Sequence, residues 1–366
     1  MRAIWIDRLR CPVTKKPFIL HALETTQEGE GEEKVRIRTG VLITEDKLAY
    51  PIVNSIPRLL EGAMSGYEED LIKYKAELDK LEIDPKSYII PEFFKEFFAR
   101  TQAQFQHEWD HHDVDKLTWG MDQEFRVARY CTYMGLDRNL KYTKKLFMDV
   151  GAGTGQLTSS LSEALDCEII GLDLTQGIEA GEQIRRTLKN SHKVLYVQGN
   201  MLAMPFVEEL CDCVHASGVL HHAPSTKEAF KSVQKHVKKG GKMGAWLYNQ
   251  GQDDMHLIPG FNVLRVKTLR KFMRTWPPLL VHWITRIIMS FAWVLQMIIN
   301  LIKGRKAMAT NFNDAVSLVY DAIIHYYAHI HTPEEVIGWF KEYGYEGMFE
   351  TDQENNNGFN ITGIRK

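Results

Sequence analysis

Between residues 121 and 250, short apolar runs alternate with longer stretches whose apolar residues recur at helical spacing. Each apolar run has the length of a buried strand, and each longer stretch has the period of an amphipathic helix. The predicted strands are 146–150, 168–173, 193–197, 211–216 and 242–248. Regular alternation of strand and helix is typical of a parallel, doubly wound sheet. We therefore predict an α/β, Rossmann-like core over residues 121–250.

The segments on either side of this core have different patterns. Residues 1–62 contain short alternating runs that predict a small β-rich module, and residues 63–120 have a charged, helical pattern that predicts a linker or a lid. A helix is predicted at the start of residues 331–366, with Thr332 as its N-cap and Glu335 in the capping-box position. Two strand patterns follow, so we expect this segment to complete the core with a helix and a β-hairpin.

Residues 251–330 interrupt the strand–helix pattern and predict a helical cap insert that is amphipathic and basic. Residues 255–313 contain nine basic residues and no Asp or Glu. On a helix of about 100° per residue, the polar side chains of 277–303 share an arc of roughly 140°, which leaves a wide apolar face. Four placements are open for this helix: a buried cap, a homodimer contact, a membrane-interface helix whose segment 277–306 contacts anionic lipid, or a true span.

Composition adds little about partners but does bear on compartment. Lys plus Arg total 45 against 47 for Asp plus Glu, so the overall charge favours no class of partner. The five cysteines are odd in number and fit no disulfide framework, which indicates a reducing environment. The N-terminal residues lack the apolar stretch of a signal peptide. We therefore expect a cytoplasmic protein, free or associated with a membrane surface.

A glycine-rich loop follows the first predicted strand. It reads Asp149-Val-Gly-Ala-Gly-Thr-Gly155 and precedes a predicted helix. Glycines allow a tight turn and close approach of a ligand, and the helix N-terminus attracts an anionic group. A carboxylate or a pyrophosphate would fit there. The spacing Gly151-x-Gly153-x-Gly155 differs from the dinucleotide fingerprint G-x-G-x-x-G, so a nicotinamide dinucleotide is the less favoured ligand.

Four motifs in this order resemble those of the class I S-adenosylmethionine (SAM) dependent methyltransferases. They are the glycine loop, Asp173 at the end of the second strand, the segment 198–206 after the third, and the segment 216–224 after the fourth. The resemblance implies SAM as cofactor. The cofactor-binding residues that it implies are Asp149, Gly151, Ala152, Gly153, Thr154, Gly155, Asp173, Leu174, Asn200, Met201, Ser217 and Gly218.

The resemblance also assigns roles to individual residues. Asp149 would contact the amino end of SAM, and Asp173 would accept hydrogen bonds from the ribose hydroxyls. Asn200 stands where the family has Asp, and its amide oxygen could accept from the adenine amino group. Residues 240–241 match the family's turn before the fifth strand. His222 and, with less support, His221 are the candidate general bases, with lining of the SAM pocket as the alternative.

The N-terminal segment resembles a zinc-ribbon-like module that partners with, or is fused to, methyltransferases. The resemblance rests on residues 9–18 and 50–60. Zinc in such modules needs paired cysteines. This chain keeps only Cys11, and Lys15 and Lys16 stand where a second cysteine is expected. We therefore expect a module of this type without a metal.

Three functions are consistent with these features. The first is methylation of a small, hydrophobic or lipid-like acceptor at oxygen or carbon, which the apolar insert favours. The second is an RNA or protein methyltransferase, although no Asn-Pro-Pro-Tyr-type motif follows the fourth strand and a nucleic-acid partner is disfavoured. The third is a catalytically silent SAM-binding scaffold. Tyr320, His325, Tyr326 and Tyr327 could face the acceptor, with plain packing as the alternative.

Overall fold

The computed structural model describes residues 1–28, 35–91, 122–251, 265–302, 312–352 and 358–366. Two parts of the sequence-based predictions lie outside these residues. One is residues 92–120 of the predicted lid. The other is residues 252–264 and 303–311 of the predicted insert, which include the basic residues Lys303, Arg305 and Lys306.

Eleven strands form one sheet, in the order β1-β2-β3-β4-β7-β6-β5-β8-β9-β11-β10. The strands are β1 (Ile19–Gln27), β2 (Val35–Ile43), β3 (Ala49–Val53), β4 (Ile56–Leu59), β5 (Leu146–Val150), β6 (Glu168–Asp173), β7 (Val194–Gly199), β8 (Cys211–Ser217), β9 (Val237–Tyr248), β10 (Tyr345–Asp352) and β11 (Gly358–Arg365). Strands β7, β6, β5, β8 and β9 are parallel neighbours, and β11 joins β9 antiparallel. The predicted Rossmann-like α/β class is confirmed.

Eight helices of two turns or more occur among the described residues. They are α1 (Gln123–Met134), α2 (Gln156–Leu165), α3 (Ile178–Thr187), α4 (Thr226–Gln234), α5 (Val266–Met273), α6 (Pro278–Ile302), α7 (Phe312–Ile324) and α8 (Pro333–Glu342). The predicted N-cap of α8 is present, because Thr332 Oγ1 accepts from the Glu335 amide at 3.3 Å. The Glu335 side chain binds His331 Nδ1 at 2.9 Å.

Alternating side chains along the parallel strands supply two apolar cores, one on each face of the sheet. On β5, Met148 and Val150 belong to one core and Phe147 belongs to the other. Every residue of β5 is buried. A strand covered on both faces reads as a continuous apolar run. This is why the short runs in the sequence predict the strands well.

The expected turn at residues 240–241 is wrong. Both glycines lie inside the long strand β9, where the pairing with β8 shifts between Cys211 and Cys213. Gly240 has φ +73°, a left-handed conformation that suits glycine. The pair therefore forms an irregularity within the strand.

The N-terminal strands extend the central sheet directly. Strand β4 pairs parallel with β7, which would otherwise be the edge of the core. Arg58 on β4 is fully buried and binds Glu179 of α3 and the Gln198 side chain of β7, the latter at 3.3 Å. Its guanidinium also lies 4.7 Å from the centre of the Tyr67 ring. This buried charge therefore joins the N-terminal segment to the core.

Replacing Arg58 tests that junction. Arg58→Met removes a buried cation and leaves Glu179 and Gln198 without it, so we expect a loss of about 3 kcal/mol in the free energy of unfolding. Lys73→Met is the matched control, since Lys73 forms an exposed ion pair with Glu24 at 3.3 Å. Its loss should cost less than about 1 kcal/mol. Urea unfolding measures both, and equal effects of the two substitutions would contradict the role given to Arg58.

Candidate functional site

The predicted cofactor motifs meet at one edge of the sheet. Strands β7, β6, β5 and β8 are consecutive neighbours and parallel, so their carboxyl ends lie side by side. Asp149, Asp173, Asn200 and Ser217 stand at or just after those four ends. Ligands in doubly wound sheets bind beyond the carboxyl ends of the strands. The structure therefore brings together the four segments that the sequence selected separately.

The glycine loop is a tight turn in which two positions exclude any other residue. Gly151 has φ +79°, and a Cβ there would lie 2.7 Å from the Val219 side chain. Gly155 has φ +70°, and a Cβ there would lie 2.6 Å from the Tyr196 hydroxyl. At each position, the positive φ and the lack of space for a Cβ both require glycine. The loop is thereby packed against β7 and against the segment after β8.

Asp149 and Asp173 are buried carboxylates, 4% and 8% exposed. Asp149 accepts a hydrogen bond from Thr158 Oγ1 at 2.6 Å. Asp173 accepts one from the Gly153 amide at 2.7 Å and two from Thr175, each at 2.8 Å. Hydroxyl and amide donors, rather than basic side chains, hold both groups among the described residues.

In the part of the chain that the structure describes, no basic side chain pairs with either carboxylate, so the ionised pair gives the site a negative charge. Burial raises the pKa of Asp149 to about 6, and the nearby charge of Asp173 adds to that effect. Burial also raises the pKa of Asp173. A ligand with cationic groups relieves this cost, whereas a pyrophosphate would add like charge. SAM carries an ammonium and a sulfonium, so the residues present fit it better than they fit a dinucleotide.

Asn200 follows β7 and caps a short turn. Its Oδ1 accepts a hydrogen bond from the Leu202 amide at 2.9 Å, at the start of the turn Met201–Ala203. An amide oxygen has two lone pairs, so Oδ1 can accept a second hydrogen bond, and Nδ2 can donate one. The expectation that the amide oxygen accepts from adenine stays a prediction.

The other predicted cofactor residues line the same strand ends. The Ala152 amide donates to the Leu172 carbonyl at 3.0 Å, and Thr154 is buried in the loop. Leu174 follows β6 and accepts from Gln198 Nε2 at 3.1 Å through its carbonyl. Met201 and Gly218 are half-buried, and Gly218 has φ +70° beside the Trp246 ring.

The two candidate bases are in different environments. His221 is fully buried, its ring lies 3.9 Å from the Tyr248 ring, and neither ring nitrogen has a hydrogen-bond partner among the described residues. The role of His221 as a base stays a prediction. His222 Nδ1 lies 2.7 Å from the Tyr327 carbonyl. A carbonyl only accepts, so the hydrogen is on Nδ1 and the basic nitrogen is Nε2.

Helix α7 brings a second imidazole to His222. The His325 ring lies 4.0 Å from the His222 ring, and its Nε2 lies 2.6 Å from Asp321 Oδ1. Asp321 was missed in the sequence, although an acid four residues before a histidine on a predicted helix is a detectable signal. Burial and neighbouring imidazoles hold the pKa of His222 well below its usual value. His222 is therefore neutral near pH 7.

Comparisons with known proteins agree with this geometry. Residues 148–244 match a family model described as a methyltransferase domain. This chain contains a methyltransferase domain. The match begins in β5 and ends in β9, so it covers the glycine loop and all four strand ends. The resemblance to class I SAM-dependent methyltransferases is confirmed over this segment, whereas the zinc-ribbon resemblance of the N-terminal module stays a prediction. No group of three or more potential metal ligands occurs in the described residues.

Among curated relatives, sterol 24-C-methyltransferase of Candida albicans is 26% identical over 168 residues, which is 42% of this chain and 44% of that protein. The Debaryomyces hansenii enzyme of the same name is 30% identical over 161 residues, 38% of this chain and 41% of that protein. The chain thus spans less than half the length of these relatives. Phosphoethanolamine N-methyltransferase 2 of Haemonchus contortus, solved with SAM, has a TM-score of 0.44 and 12% identity, covering 76% of this chain and 61% of that chain.

Neutralising Asp149 tests the charge balance of the site. The folded protein binds the Asp149 proton more tightly than the unfolded chain does, so stability falls as pH rises from 3.8 to about 6. Asp149→Asn keeps an acceptor for Thr158 and removes the buried charge. At pH 7 we expect the ligand-free variant to be more stable by up to about 3 kcal/mol. We expect SAM to bind at least tenfold more weakly.

Asp212→Asn is the control of opposite sign. Asp212 forms ion pairs with Lys145 and Lys238 at 2.9 and 3.0 Å. Its neutralisation should lower stability and leave SAM affinity unchanged. Thermal unfolding across pH and titration calorimetry with SAM measure these effects. A destabilised Asp149→Asn protein with unchanged SAM affinity would contradict the interpretation.

Proposed function

We propose that this protein is a SAM-dependent methyltransferase whose acceptor is a small, hydrophobic or lipid-like molecule, methylated at carbon or oxygen. The observation that carries the proposal is the buried Asp149–Asp173 pair at the strand ends, with an imidazole cluster after the next strand. The first feature suits a cationic cofactor, and the second suits removal of a proton. Both lie at the edge of the sheet where such domains bind ligands.

The cofactor end of the site consists of backbone and acidic groups. SAM, when bound, supplies an electrophilic methyl group on a sulfonium. Asp149 would hold the ammonium end and Asp173 the ribose hydroxyls, with Gly151–Gly155 close against the ligand. Asn200 would hydrogen-bond the adenine through its side-chain amide. Positioning of the two reactants accounts for much of the rate of a displacement of this kind.

The imidazole cluster would take up the proton that the acceptor loses. Methylation of a hydroxyl or of an alkene carbon releases one proton, so a neutral base beside the acceptor accelerates the reaction. His222 Nε2 is such a base, and its Nδ1 is held by the Tyr327 carbonyl. His325 lies beside it and donates from Nε2 to Asp321, which fixes the orientation of that imidazole.

The choice of acceptor rests on the insert and on the relatives. Helices α5, α6 and α7 carry many apolar side chains. Asp321 of α7 and His325, which directly follows α7, belong to the cluster. The sterol 24-C-methyltransferases are named for methylation of a sterol at carbon. Their names support a carbon acceptor in a lipid-like molecule. Methylation of a hydroxyl oxygen also releases one proton, so the imidazole cluster suits an oxygen acceptor equally.

Turnover with defined acceptor classes tests the proposal. Purified protein is incubated with methyl-labelled SAM and either a cell lipid extract or total RNA and protein. We expect label in the organic phase. Label in RNA or protein would favour a macromolecular substrate. SAM binding without transfer to any fraction would favour a silent scaffold. Either result would overturn the proposed acceptor.

Substitution of His222 tests the proton acceptor. His222→Asn retains a donor for the Tyr327 carbonyl and removes the basic nitrogen. We expect kcat to fall by about 100- to 10,000-fold with unchanged SAM affinity. His236→Asn is the control, because His236 is also buried and binds a backbone carbonyl, that of Val207, at 2.8 Å. Unchanged kcat in His222→Asn would remove this residue from the mechanism.

A further inference from the structure

Helix α6 exposes its apolar side chains to solvent. Trp283, Ile287, Phe291, Val294 and Ile298 recur at helical spacing and are 49% to 73% exposed. Together they form a stripe along the helix, which we call the outer face of α6. Exposed apolar stripes of this length are uncommon on soluble proteins and mark interaction sites.

The opposite side of α6 is packed against the protein. Val281, Thr285, Met289 and Ala292 are buried at the same helical spacing. Met289 and Ala292 form a small core with Val316 and Val319 of α7. The packed side includes the polar Thr285, whose hydroxyl donates to the Val281 carbonyl at 2.8 Å. The amphipathic pattern of the sequence is therefore inverted relative to a surface helix, because the apolar face points away from the core.

Helix α5 and the turn that follows it also expose apolar side chains. Phe272 and Trp276 are 62% and 42% exposed. Lys271 and Arg274 are exposed within the same turn. Residues 255–313 contain nine basic residues and no acidic one. Apolar and aromatic side chains flanked by basic ones are the composition of a surface that inserts among lipid headgroups.

Charge decides between the two occupants that such a face could have. A symmetric dimer would bring the exposed basic side chains of Lys267, Lys271 and Arg274 against their own copies, because a twofold interface uses the same patch on both subunits. The resulting repulsion disfavours a second copy. An anionic bilayer surface neutralises the same charges and covers the apolar stripe. Residues 278–295 are long and apolar enough to cross a membrane by length and composition, and 22% of them are buried inside the protein. The packed side of α6 argues for a helix lying in the interface.

We infer that the outer face of α6, with α5, docks this protein on an anionic lipid bilayer. The helix lies in the plane of the headgroups, with its packed side on α7. Because His325 directly follows the last residue of α7, this places the imidazole cluster one helix layer from the lipid. The inference goes beyond the proposed activity, and docking can be measured without any turnover.

Vesicle flotation with the full chain tests the docking. The probes are vesicles of phosphatidylcholine alone and of phosphatidylcholine with phosphatidylserine. We expect the protein to float with the anionic vesicles and to remain unbound with the neutral ones. Binding should weaken as salt is raised, because the charge contribution is screened. Failure to float with anionic vesicles would overturn the inference, even if methyl transfer were observed.

Paired substitutions separate the apolar and basic contributions. Trp283→Gln with Phe291→Gln removes two large exposed side chains, and we expect at least a tenfold loss of binding to anionic vesicles. Lys271→Gln with Arg274→Gln should weaken it by about fivefold for each charge. Ile72→Gln with Leu140→Gln is the control, since these residues are 67% and 55% exposed on other surfaces. SAM affinity should stay unchanged in all three variants and reports that each has folded.

The oligomeric state shows whether a second copy of the chain, rather than lipid, covers the outer face of α6. Light scattering of the lipid-free protein should give a monomer mass for the wild type and for the Trp283→Gln, Phe291→Gln variant. A wild-type dimer that this variant converts to monomer would assign the outer face to a second copy and overturn lipid docking. Equal flotation of all variants would also contradict it, because binding would then use another surface.

Discussion

The candidate site depends on one constraint: two carboxylates are buried next to each other at the ends of adjacent strands. Asp149 and Asp173 belong to neighbouring strands, and four hydrogen bonds from hydroxyl and amide groups hold them. Those bonds fix their geometry without neutralising their charge. Ionisation of buried acids without a cation is costly, so the ligand-free site favours a cationic ligand. The glycine loop follows from the same constraint, because only a turn this tight lets the Gly153 amide reach Asp173.

The N-terminal segment is connected to this site through hydrogen bonds at the neighbouring strand β7. Gln198 on β7 accepts from both Arg58 and Tyr67, and its Nε2 donates to the Leu174 carbonyl just beyond Asp173. The sheet edge next to the site is thus covered by β4 and held through one glutamine. An uncovered edge strand would be free to pair with other chains. The module therefore supports the cofactor end of the core whether or not it ever held a metal.

Local patterns predicted the central strands, because a strand buried on both faces needs apolar residues throughout. They also predicted the glycine loop, where tight backbone turns have a fixed sequence requirement. Other features depend on contacts between distant segments. His222 and His325 meet through the packing of α7, and the Asn200 oxygen turns toward its own short helix. Gly240 and Gly241 resemble a turn locally, and the structure has them inside β9 at the point where its pairing with β8 shifts register.

The amphipathic pattern of the insert predicted a helix but did not predict which face of that helix packs on the protein. The sequence predicted a wide apolar face on the segment 277–303, and the ordinary expectation is that such a face packs inward. In α6 the packed side includes the small side chains Thr285 and Ala292 together with Val281 and Met289. The bulky Trp283 and Phe291 are left outside, whereas Trp293 is half-buried against Phe312. A helix that exposes large aromatic side chains loses stability in water, and an apolar or interfacial environment restores that loss. Since α7 is packed by this helix and is followed directly by His325, the environment of the outer face and the geometry of the imidazole cluster depend on the same helix pair.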